Sequence, residues 1–326
     1  MSVQQHSPGF DSTVDRALVH RASTAEVLPT SFSRLGKNAF VAGLQWPRRH
    51  CFYQPERLDS ALVAETIRQI TVLTLHEGLG VPLDHKFLMS GFGFRIPHTS
   101  PRLVRRAAPV ELIARIRESD VRRPDSLLRG ARVDVELVTT AGDLVAEGYG
   151  VARVCTASAY ARLRRSEQAD MMGETTHISR LEPHLVGRQN SSDVLVSNAD
   201  LGAPRAVQAD LNQPYFFDHA LDHVPGVALI EALRQHACAD RGQPHLDFRQ
   251  FDATFLKIVE HAPLATVENN PDAKDEFLVV QRGSVSVRAT AQFRDVERSK
   301  VTRSAGVFSA PQADARPLAA SGQTLG

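Results

Sequence analysis

Cysteine, lysine and long apolar segments are scarce in this chain, and the shortage of cysteines and of long apolar segments excludes several classes of protein. The three cysteines, Cys51, Cys155 and Cys238, are far apart, odd in number and without the paired spacing of a metal site. This usage is typical of reduced thiols in a cytoplasmic protein. No segment approaches the roughly 20 apolar residues that span a bilayer, so no membrane span is expected. Residues 1–20 also lack the apolar core of a secretory signal peptide.

Charge of one sign is not in excess either, because the 326 residues carry a net charge of +1. This balance gives no bulk attraction to nucleic acid or to an anionic membrane, and the sequence contains no recognisable nucleic-acid-binding module. Hydrophobic residues make up 42% of the chain and charged residues 23%, which is typical of a globular protein. The length is sufficient for two domains that each have their own core.

The most informative feature is a polar pattern that occurs twice. Glu, Arg and Gln stand at positions i, i+3 and i+4 of two otherwise apolar segments, residues 64–69 and 230–235. At 3.6 residues per turn, the three side chains share one face of a helix. Burying them is costly unless each finds a partner, so the repetition indicates a duplicated domain with a polar site in its central helix. The two sets are Glu65, Arg68 and Gln69, and Glu231, Arg234 and Gln235.

Both halves have the same predicted order of elements, namely a β segment, one long apolar helix and several antiparallel strands. Such a helix is predicted to be buried, here by a curved sheet. Strands are predicted at residues 27–46, 110–116, 132–138, 144–155, 194–196, 253–260, 276–281, 285–293 and 301–308, with helices at about 58–78 and from 225 onward. The predicted units are a flexible N-terminus (1–18), a first repeat (19–157), a surface linker (158–183), a second repeat (184–309) and a disordered tail (310–326).

The segment before the second helix holds the residues best suited to catalysis. His219 and His223 precede Pro225 and Gly226, a pair that fits the start of a helix. The free N–H groups there, at Gly226 and Val227, can hold a developing oxyanion. Together with the Glu231 carboxylate inside the helix, this arrangement predicts acyl or thioester chemistry.

Other interpretations of these residues stay open. Glu231 and Arg234 could form a structural ion pair, which is common at this spacing in helices, and His223 could cap the helix. A metal site is not predicted, because the loop does not hold His219 and His223 on one helical face and no distant third ligand follows. A nucleophile at Cys51 is a weaker interpretation, because adjacent residues such as His50 and Cys51 rarely face each other and cysteine is often simply buried.

Residues 224–232, preceded by Phe216-Phe217 and His219, resemble the active-site helix of the hotdog-fold β-hydroxyacyl-ACP dehydratases. In that family a His precedes a central helix that starts with Pro-Gly and carries a catalytic Glu or Asp. Pro225, Gly226 and Glu231 match this spacing. His219 matches it with a loop that is shorter by two residues.

A second resemblance covers almost the whole chain. Motifs in both halves, in matching order, resemble the A-factor synthase family, which is implicated in making γ-butyrolactone and related signals in actinomycetes. The motifs are Val19-His20-Arg21, Glu26-Val27 and residues 46–53 and 64–69 in the first half, and Val186-Gly187-Arg188, Asp193-Val194 and residues 217–235 in the second.

This resemblance implies an α+β fold, a tandem (double) hotdog in which each long central helix is wrapped by a curved antiparallel sheet. It implies transfer of a β-ketoacyl group from an acyl carrier protein or CoA thioester to the hydroxyl of dihydroxyacetone phosphate, with no cofactor. Glu231, together with His219, is expected to accept the hydroxyl proton, and Gly226 and Val227 to bind the oxyanion.

The other site residues follow from the same resemblance and from the repeat. Arg234, and Arg68 from the first repeat, are expected to hold the phosphate or the β-keto oxygen. Glu65 either contributes across the interface between the repeats or is structural. The remaining substrate-binding candidates are Gln69, Gln235 and His223.

Two further functions are compatible with these residues. One is another hotdog enzyme, a dehydratase or thioesterase, although the shortened loop and the Arg after Glu231 argue against a standard dehydratase. The other is a non-catalytic regulator that binds an acyl chain or a butyrolactone, although such a module has no need of Glu65, Glu231 and Arg234. Arginine clusters, for example residues 162–165, could dock an acidic carrier protein, but solvated surface arginine explains any single cluster equally well.

Overall fold

The computed structural model describes residues 8–101, 103, 108–123, 128–168 and 178–296. Within these residues, the chain forms eleven strands and three α-helices. The strands are β1 (Pro29–Arg34), β2 (Ala39–Trp46), β3 (Lys86–Arg95), β4 (Val110–Arg122), β5 (Gly130–Thr139), β6 (Leu144–Cys155), β7 (Arg205–Val207), β8 (Leu246–Phe255), β9 (Ala265–Asn269), β10 (Glu276–Gln281) and β11 (Ser284–Asp295). The helices are α1 (Ser60–Leu73), α2 (Ala157–Gln168) and α3 (Gly226–Arg241), and a π-helical turn, Thr74–Gly78, extends α1.

The strands form one antiparallel sheet in the order β1-β2-β4-β5-β6-β3-β8-β11-β10-β9-β7. The order in one half is the reverse of that in the other, and the halves meet where β3 pairs with β8, with Phe92 opposite Ala253. This is the arrangement expected for two fused copies related by a pseudo-twofold axis. It confirms the predicted double hotdog with α+β architecture.

The two long helices lie inside the curve of the sheet. Every residue of α1 except Arg68 is buried, and so are eleven residues of α3. Close contact with the sheet depends on a small residue in β6, since a Cβ at Gly150 would lie 2.5 Å from the Thr71 hydroxyl. The apolar surfaces of both helices therefore pack into one core together with apolar side chains of the strands.

Most strands lie where the alternation of apolar residues predicts them, but the second half differs. Its first strand after α3 is β8, which begins at Leu246 rather than at Ala253. The segment 194–196 forms isolated bridges, such as Val196 to Val207, instead of a strand. Strands β3, β7 and β9 are additional to those predicted. The predicted strand 301–308 lies outside the described residues.

The predicted surface linker and the predicted flexible N-terminus both make specific contacts. The predicted surface linker includes α2, in which Arg164 is buried against Glu260 and Asp222, so Arg164 is not a solvated docking residue. At the N-terminus, Val14 N–H donates to the carbonyl of Pro29 over 3.0 Å. The unit limits themselves stay a prediction, and the tail 310–326 lies outside the described residues. No helix in the described residues is long and apolar enough to cross a membrane.

Candidate active site between the two repeats

The first polar cluster surrounds the buried Glu65 carboxylate on α1. Arg68 donates to it through Nε (2.8 Å) and Nη2 (2.7 Å), and Gln69 Nε2 donates over 2.7 Å. A second arginine, Arg21, reaches the same carboxylate with Nη2 at 2.6 Å. Gln69 also accepts a hydrogen bond from the N–H of Leu28, so the cluster connects α1 to the chain that leads into β1.

The second cluster, on α3, has the same contacts. Arg234 donates to Glu231 through Nε (2.9 Å) and Nη2 (2.7 Å), and Gln235 Nε2 donates over 2.8 Å. Arg188 takes the place of Arg21, with Nε and Nη2 each 2.8 Å from the carboxylate. The amide of Gln235 accepts the N–H of Leu195 as that of Gln69 accepts Leu28. The repeated pattern therefore forms two equivalent buried networks.

The arginines hold both carboxylates in the charged form. Burial alone would raise the pKa of Glu65 and of Glu231. The positive charges of Arg21 and Arg68 outweigh this effect and lower the pKa of Glu65 to about 2. Arg188 and Arg234 lower the pKa of Glu231 to about 2 in the same way. At neutral pH each carboxylate is an acceptor with its lone pairs occupied, so neither is arranged to exchange protons with a substrate.

A cavity of about 400 Å³, here called the inter-repeat cavity, lies beside the first cluster only. Its polar wall combines His20, Arg21 and Arg68 from the first repeat with His219 and Gly226 from the second. Much of the remaining wall is apolar and includes Val72, Phe87, Met89, Phe92, Leu229 and Ile230. A site of this kind takes a ligand with a charged end and an apolar part.

The equivalent position beside the second cluster holds a cleft of only about 40 Å³, here called the second cleft. Its lining includes Arg188 and Arg234, with Gly187 at the position that corresponds to His20. The helix that points toward it, α1, begins with its N–H groups occupied, because Asp247 accepts from Ser60 and Asp59 accepts from Ala61.

The helix that points toward the inter-repeat cavity begins differently. Its N-cap residue, Pro225, provides no side-chain hydrogen bond to the helix. Gly226 and Val227 line the cavity, and no partner for their N–H groups is found among the described residues. The two sites therefore differ in size and in whether the helix N-terminus is available.

Arg68 and Arg234 show the same difference at the level of one side chain. Arg234 Nη1 donates to the carbonyl of Leu246 and to the sulfur of Cys238, so the guanidinium is fully engaged. Arg68 Nη1 has no hydrogen-bond partner among the described residues, and a fifth of its side chain is exposed. Arg68 can therefore bind a ligand without losing an existing contact.

The structure places the predicted site residues in two groups. His219, His223, Gly226, Val227 and Arg68 line the inter-repeat cavity. Glu231, Arg234 and Gln235 do not. The pocket that His219 lines therefore includes Arg68 of the other repeat and not Glu231, contrary to the expected pairing of Glu231 with His219. Glu65 and Gln69 lie behind Arg68 as its support.

His223 and His219 have different surroundings. His223 Nδ1 lies 2.7 Å from Asp222, whose carboxylate also accepts hydrogen bonds from Tyr160 and Arg164 of α2. The His219 ring makes no hydrogen bond within the described residues, and burial lowers its pKa. Its neighbour Asp218 accepts the N–H of Ser23 over 3.1 Å, which fixes this loop against the first repeat.

Three functional candidates are additional to those predicted from the sequence. Arg21 and Arg188 complete the two clusters, and His20 lines the inter-repeat cavity. The signal that identifies the arginines is present in the sequence, because Val19-His20-Arg21 and Val186-Gly187-Arg188 precede the two helices at nearly equal distances. Their pairing with the glutamates depends on tertiary contacts more than 40 residues apart.

Two other kinds of site concern a metal ion and a cysteine nucleophile. No group of three or more His, Cys, Asp or Glu side chains in the described part of the chain is arranged to hold a metal ion. Cys51 Sγ lies 3.9 Å from His50 Nδ1, but that nitrogen accepts the N–H groups of Phe52 and Tyr53. Burial raises the pKa of the Cys51 thiol, whereas an activated nucleophile needs the opposite shift.

Comparison with known proteins agrees with this architecture. The chain matches the model of the A-factor biosynthesis hotdog domain over residues 3–156 and 169–245. A protein from Streptomyces virginiae named 2-oxo-3-(phosphooxy)propyl 3-oxoalkanoate synthase is 37% identical over 72% of this chain and 80% of its own length. A protein of the same name from Streptomyces griseus is 31% identical over 69% of this chain and 74% of its own.

Among solved structures, the 12:0-ACP thioesterase from Umbellularia californica aligns with 81% of this chain and 100% of its own. The TM-score is 0.48 and the sequence identity 11%. The family match covers well over half of the chain and spans both repeats. This chain therefore belongs to the A-factor biosynthesis hotdog family.

Proposed function

We propose that the protein transfers a 3-oxoacyl group from an acyl carrier protein or CoA thioester to the hydroxyl of dihydroxyacetone phosphate. The product would be a 2-oxo-3-(phosphooxy)propyl 3-oxoalkanoate, as in the names of the relatives. Formation of this ester is expected to be an early step in the synthesis of a γ-butyrolactone-type signal or a related butenolide or furan. The observation that carries the proposal is the inter-repeat cavity, which joins an apolar wall, a free arginine N–H and an uncapped helix N-terminus.

Arg68 is the proposed phosphate ligand. Its Nε and Nη2 are held by Glu65, which fixes the direction of the guanidinium, while Nη1 remains available. A planar guanidinium suits phosphate oxygens. Glu65 acts in this proposal by orienting Arg68 and not by taking a proton, because both its oxygens accept hydrogen bonds from arginine.

The N-terminus of α3 is the proposed oxyanion site. When the hydroxyl oxygen attacks the thioester carbonyl, negative charge develops on the carbonyl oxygen. The N–H groups of Gly226 and Val227 lie at the positive end of the helix dipole and can donate to it. The apolar residues of the cavity, for example Phe92 and Leu229, are suited to the acyl chain.

The donor is expected to reach this site at a basic surface. Arg153 and Lys257 are exposed and line the inter-repeat cavity, so they lie where it opens to solvent. Their positive charge is suited to the acidic surface or phosphate groups of an acyl carrier protein or CoA. A comparison of the two thioesters as substrates distinguishes between these donors.

Dehydration by the same residues is less compatible with the geometry. A dehydratase needs a carboxyl group that can donate or accept a proton at the substrate. Glu65 is held as a carboxylate by two arginines, and Glu231 does not line the cavity. Ester formation needs an oriented hydroxyl and an oxyanion site, and both can be provided by the residues described.

The test is to incubate the purified protein with a 3-oxoacyl thioester, on carrier protein or CoA, with and without dihydroxyacetone phosphate. Mass spectrometry should detect the phosphorylated ester only when both substrates are present. Free acid or enoyl product would indicate a thioesterase or dehydratase. Tight binding without turnover would indicate a regulator.

A variant can test the phosphate contact separately. Arg68→Gln should raise the KM for dihydroxyacetone phosphate and leave the weaker reaction of unphosphorylated dihydroxyacetone nearly unchanged. Arg115→Gln, an exposed arginine on β4, is the matched control and should behave like the wild type. Equal losses with both acceptors would contradict a role for Arg68 in phosphate binding.

A further inference from the structure

His20 and its counterpart in the second repeat share an unusual backbone conformation. His20 has a left-handed backbone (φ 52°, ψ 55°) at the end of a 3₁₀ turn, Arg16–Val19. The equivalent residue of the second repeat is Gly187, with φ 69° after the turn Pro183–Val186. Glycine adopts this conformation freely, whereas other residues do so at a cost. A histidine in this position suggests a role for the imidazole itself.

The surroundings of His20 place its imidazole at the proposed reaction site. The ring stacks on Phe87, with centroids 5.1 Å apart, and it lines the inter-repeat cavity together with His219 and Arg68. Nε2 lies 2.8 Å from Nε2 of His76. Nδ1 has no hydrogen-bond partner among the described residues. It is also not among the fully buried polar atoms without a partner, so it is at least partly accessible.

His76 determines which nitrogen of His20 carries the proton. His76 Nδ1 lies 2.8 Å from the carbonyl oxygen of Val81, which can only accept, so Nδ1 must donate. Neutral His76 therefore has a lone pair on Nε2, and His20 must donate its own Nε2–H to it. This leaves the lone pair of His20 on Nδ1, the nitrogen without a protein partner.

Both rings are neutral at physiological pH. Burial, and then the charge of Arg68, lowers the pKa of His20 to about 3. Burial also lowers the pKa of His76. A phosphate bound at Arg68 would offset that positive charge, so His20 becomes a stronger base when the acceptor substrate is present.

We propose that His20 is the general base of the acyl transfer and that His76 is a positioning residue that fixes its tautomer. This inference rests on the proposed function. The hydroxyl oxygen of dihydroxyacetone phosphate forms a bond to the acyl carbon while its proton moves to Nδ1 of His20. The C–S bond then breaks, the electron pair leaves with sulfur, and the same proton passes from Nδ1 to the thiolate. Ester and free thiol are formed, and His20 returns to its starting state.

The test uses His20→Gly. Glycine is the residue at the equivalent position of the second repeat, and it retains the backbone conformation. A second variant, His20→Asn, tolerates the same conformation and keeps a polar side chain. In each variant kcat should fall by about 100-fold or more, with nearly unchanged KM for both substrates. Asp120→Gly changes another left-handed residue, with φ 49°, which is exposed, and it is the matched control that should keep full activity.

Two further measurements separate catalysis from a structural role. Added imidazole should restore part of the activity of His20→Gly, because it can enter the space left by the ring. Nitrogen NMR of labelled histidine should show His20 protonated on Nε2 in the wild type, and a mixture of tautomers together with a lower kcat in His76→Phe.

The outcomes distinguish this inference from the proposed function. If the wild type forms no ester, the proposed function fails and the proposal for His20 fails with it. If the wild type forms ester and either folded His20 variant retains more than about one hundredth of its kcat, only the role of His20 is overturned. His219→Ala, tested in parallel, shows whether this second cavity histidine, whose ring also lacks a hydrogen-bond partner among the described residues, serves as the base instead, which would also overturn it.

Discussion

The two clusters permit a matched perturbation, Glu65→Gln and Glu231→Gln, in which one chemical change is made at equivalent positions. Each substitution removes a negative charge that faces two arginines and leaves a side chain of the same size. In the second cluster, Arg188 and Arg234 are both almost fully buried. In the first, Arg21 is buried but Arg68 borders the inter-repeat cavity. The two variants should therefore differ both in stability and in activity.

The expected loss of stability is larger for the second cluster. Removing one partner of a buried ion pair costs about 3–5 kcal/mol, because the remaining charge is left uncompensated. This range applies to Glu231→Gln, which leaves two arginines in the interior. For Glu65→Gln we expect about 2–3 kcal/mol, because water in the cavity can solvate Arg68. Urea unfolding measures the difference through the shift in midpoint and the slope m.

The expected order of activity is the opposite. Glu65→Gln should release Arg68 from its fixed orientation and raise the KM for dihydroxyacetone phosphate. Glu231→Gln should retain its activity per folded molecule, since Glu231 and Arg234 do not line the cavity. If Glu231 instead accepted the hydroxyl proton, as its resemblance to the dehydratase glutamate implies, Glu231→Gln would abolish ester formation. A folded Glu231→Gln protein without activity, beside an active Glu65→Gln protein, would show that the reaction takes place at the second cluster.

Three other changes test the structural basis of the site. Stability should fall as the pH drops from 4.5 to about 2, because the folded-state pKa of Glu65 and of Glu231 is about 2 while the ordinary value is 4.5. Urea unfolding midpoints measured at several pH values should show this fall, and their dependence on pH should be weaker in Glu65→Gln and in Glu231→Gln. Gly187→Ala should destabilise the protein by about 1–3 kcal/mol, since its Cβ would lie 2.3 Å from the carbonyl of Pro244 at φ 69°, and unchanged thermal unfolding would contradict this. Arg164→Ala should cost about 3–5 kcal/mol by leaving Glu260 buried and unpaired, and limited proteolysis should then cleave near α2.

Much of the fold follows from local patterns in the sequence. The repeated Glu-x-x-Arg-Gln pattern identifies both central helices, and alternation of apolar residues identifies strands such as β5 and β10. The short strands β7 and β9 have too few alternating positions to be distinguished from loops. The helix α2 contains few large apolar residues, and one of its contacts is the ion pair of Arg164 with Glu260, almost 100 residues away, which the local sequence does not reveal.

The candidate site was predictable only in part, for a physical reason. The sequence shows that His219 and the Pro225-Gly226 helix start are close to Glu231 along the chain, and proximity along the chain favours that pairing. In a double hotdog, however, the loop before one helix faces the central helix of the other repeat. The residues that meet in space are therefore His219 and Arg68, which are 151 positions apart in the sequence.

The fusion of two copies into one chain explains why only one of two equivalent sites needs to be kept. In a symmetric dimer of identical hotdogs, any substitution changes both sites, so His at position 20 and Gly at position 187 could not occur together. In the fused chain each helix N-terminus changes separately. That of α1 has carboxylate partners in Asp59 and Asp247, whereas that of α3 has no side-chain cap. In the proposed function the first cluster therefore supports binding, while the second, with Arg234 fully engaged, is expected to contribute to the stability of the core.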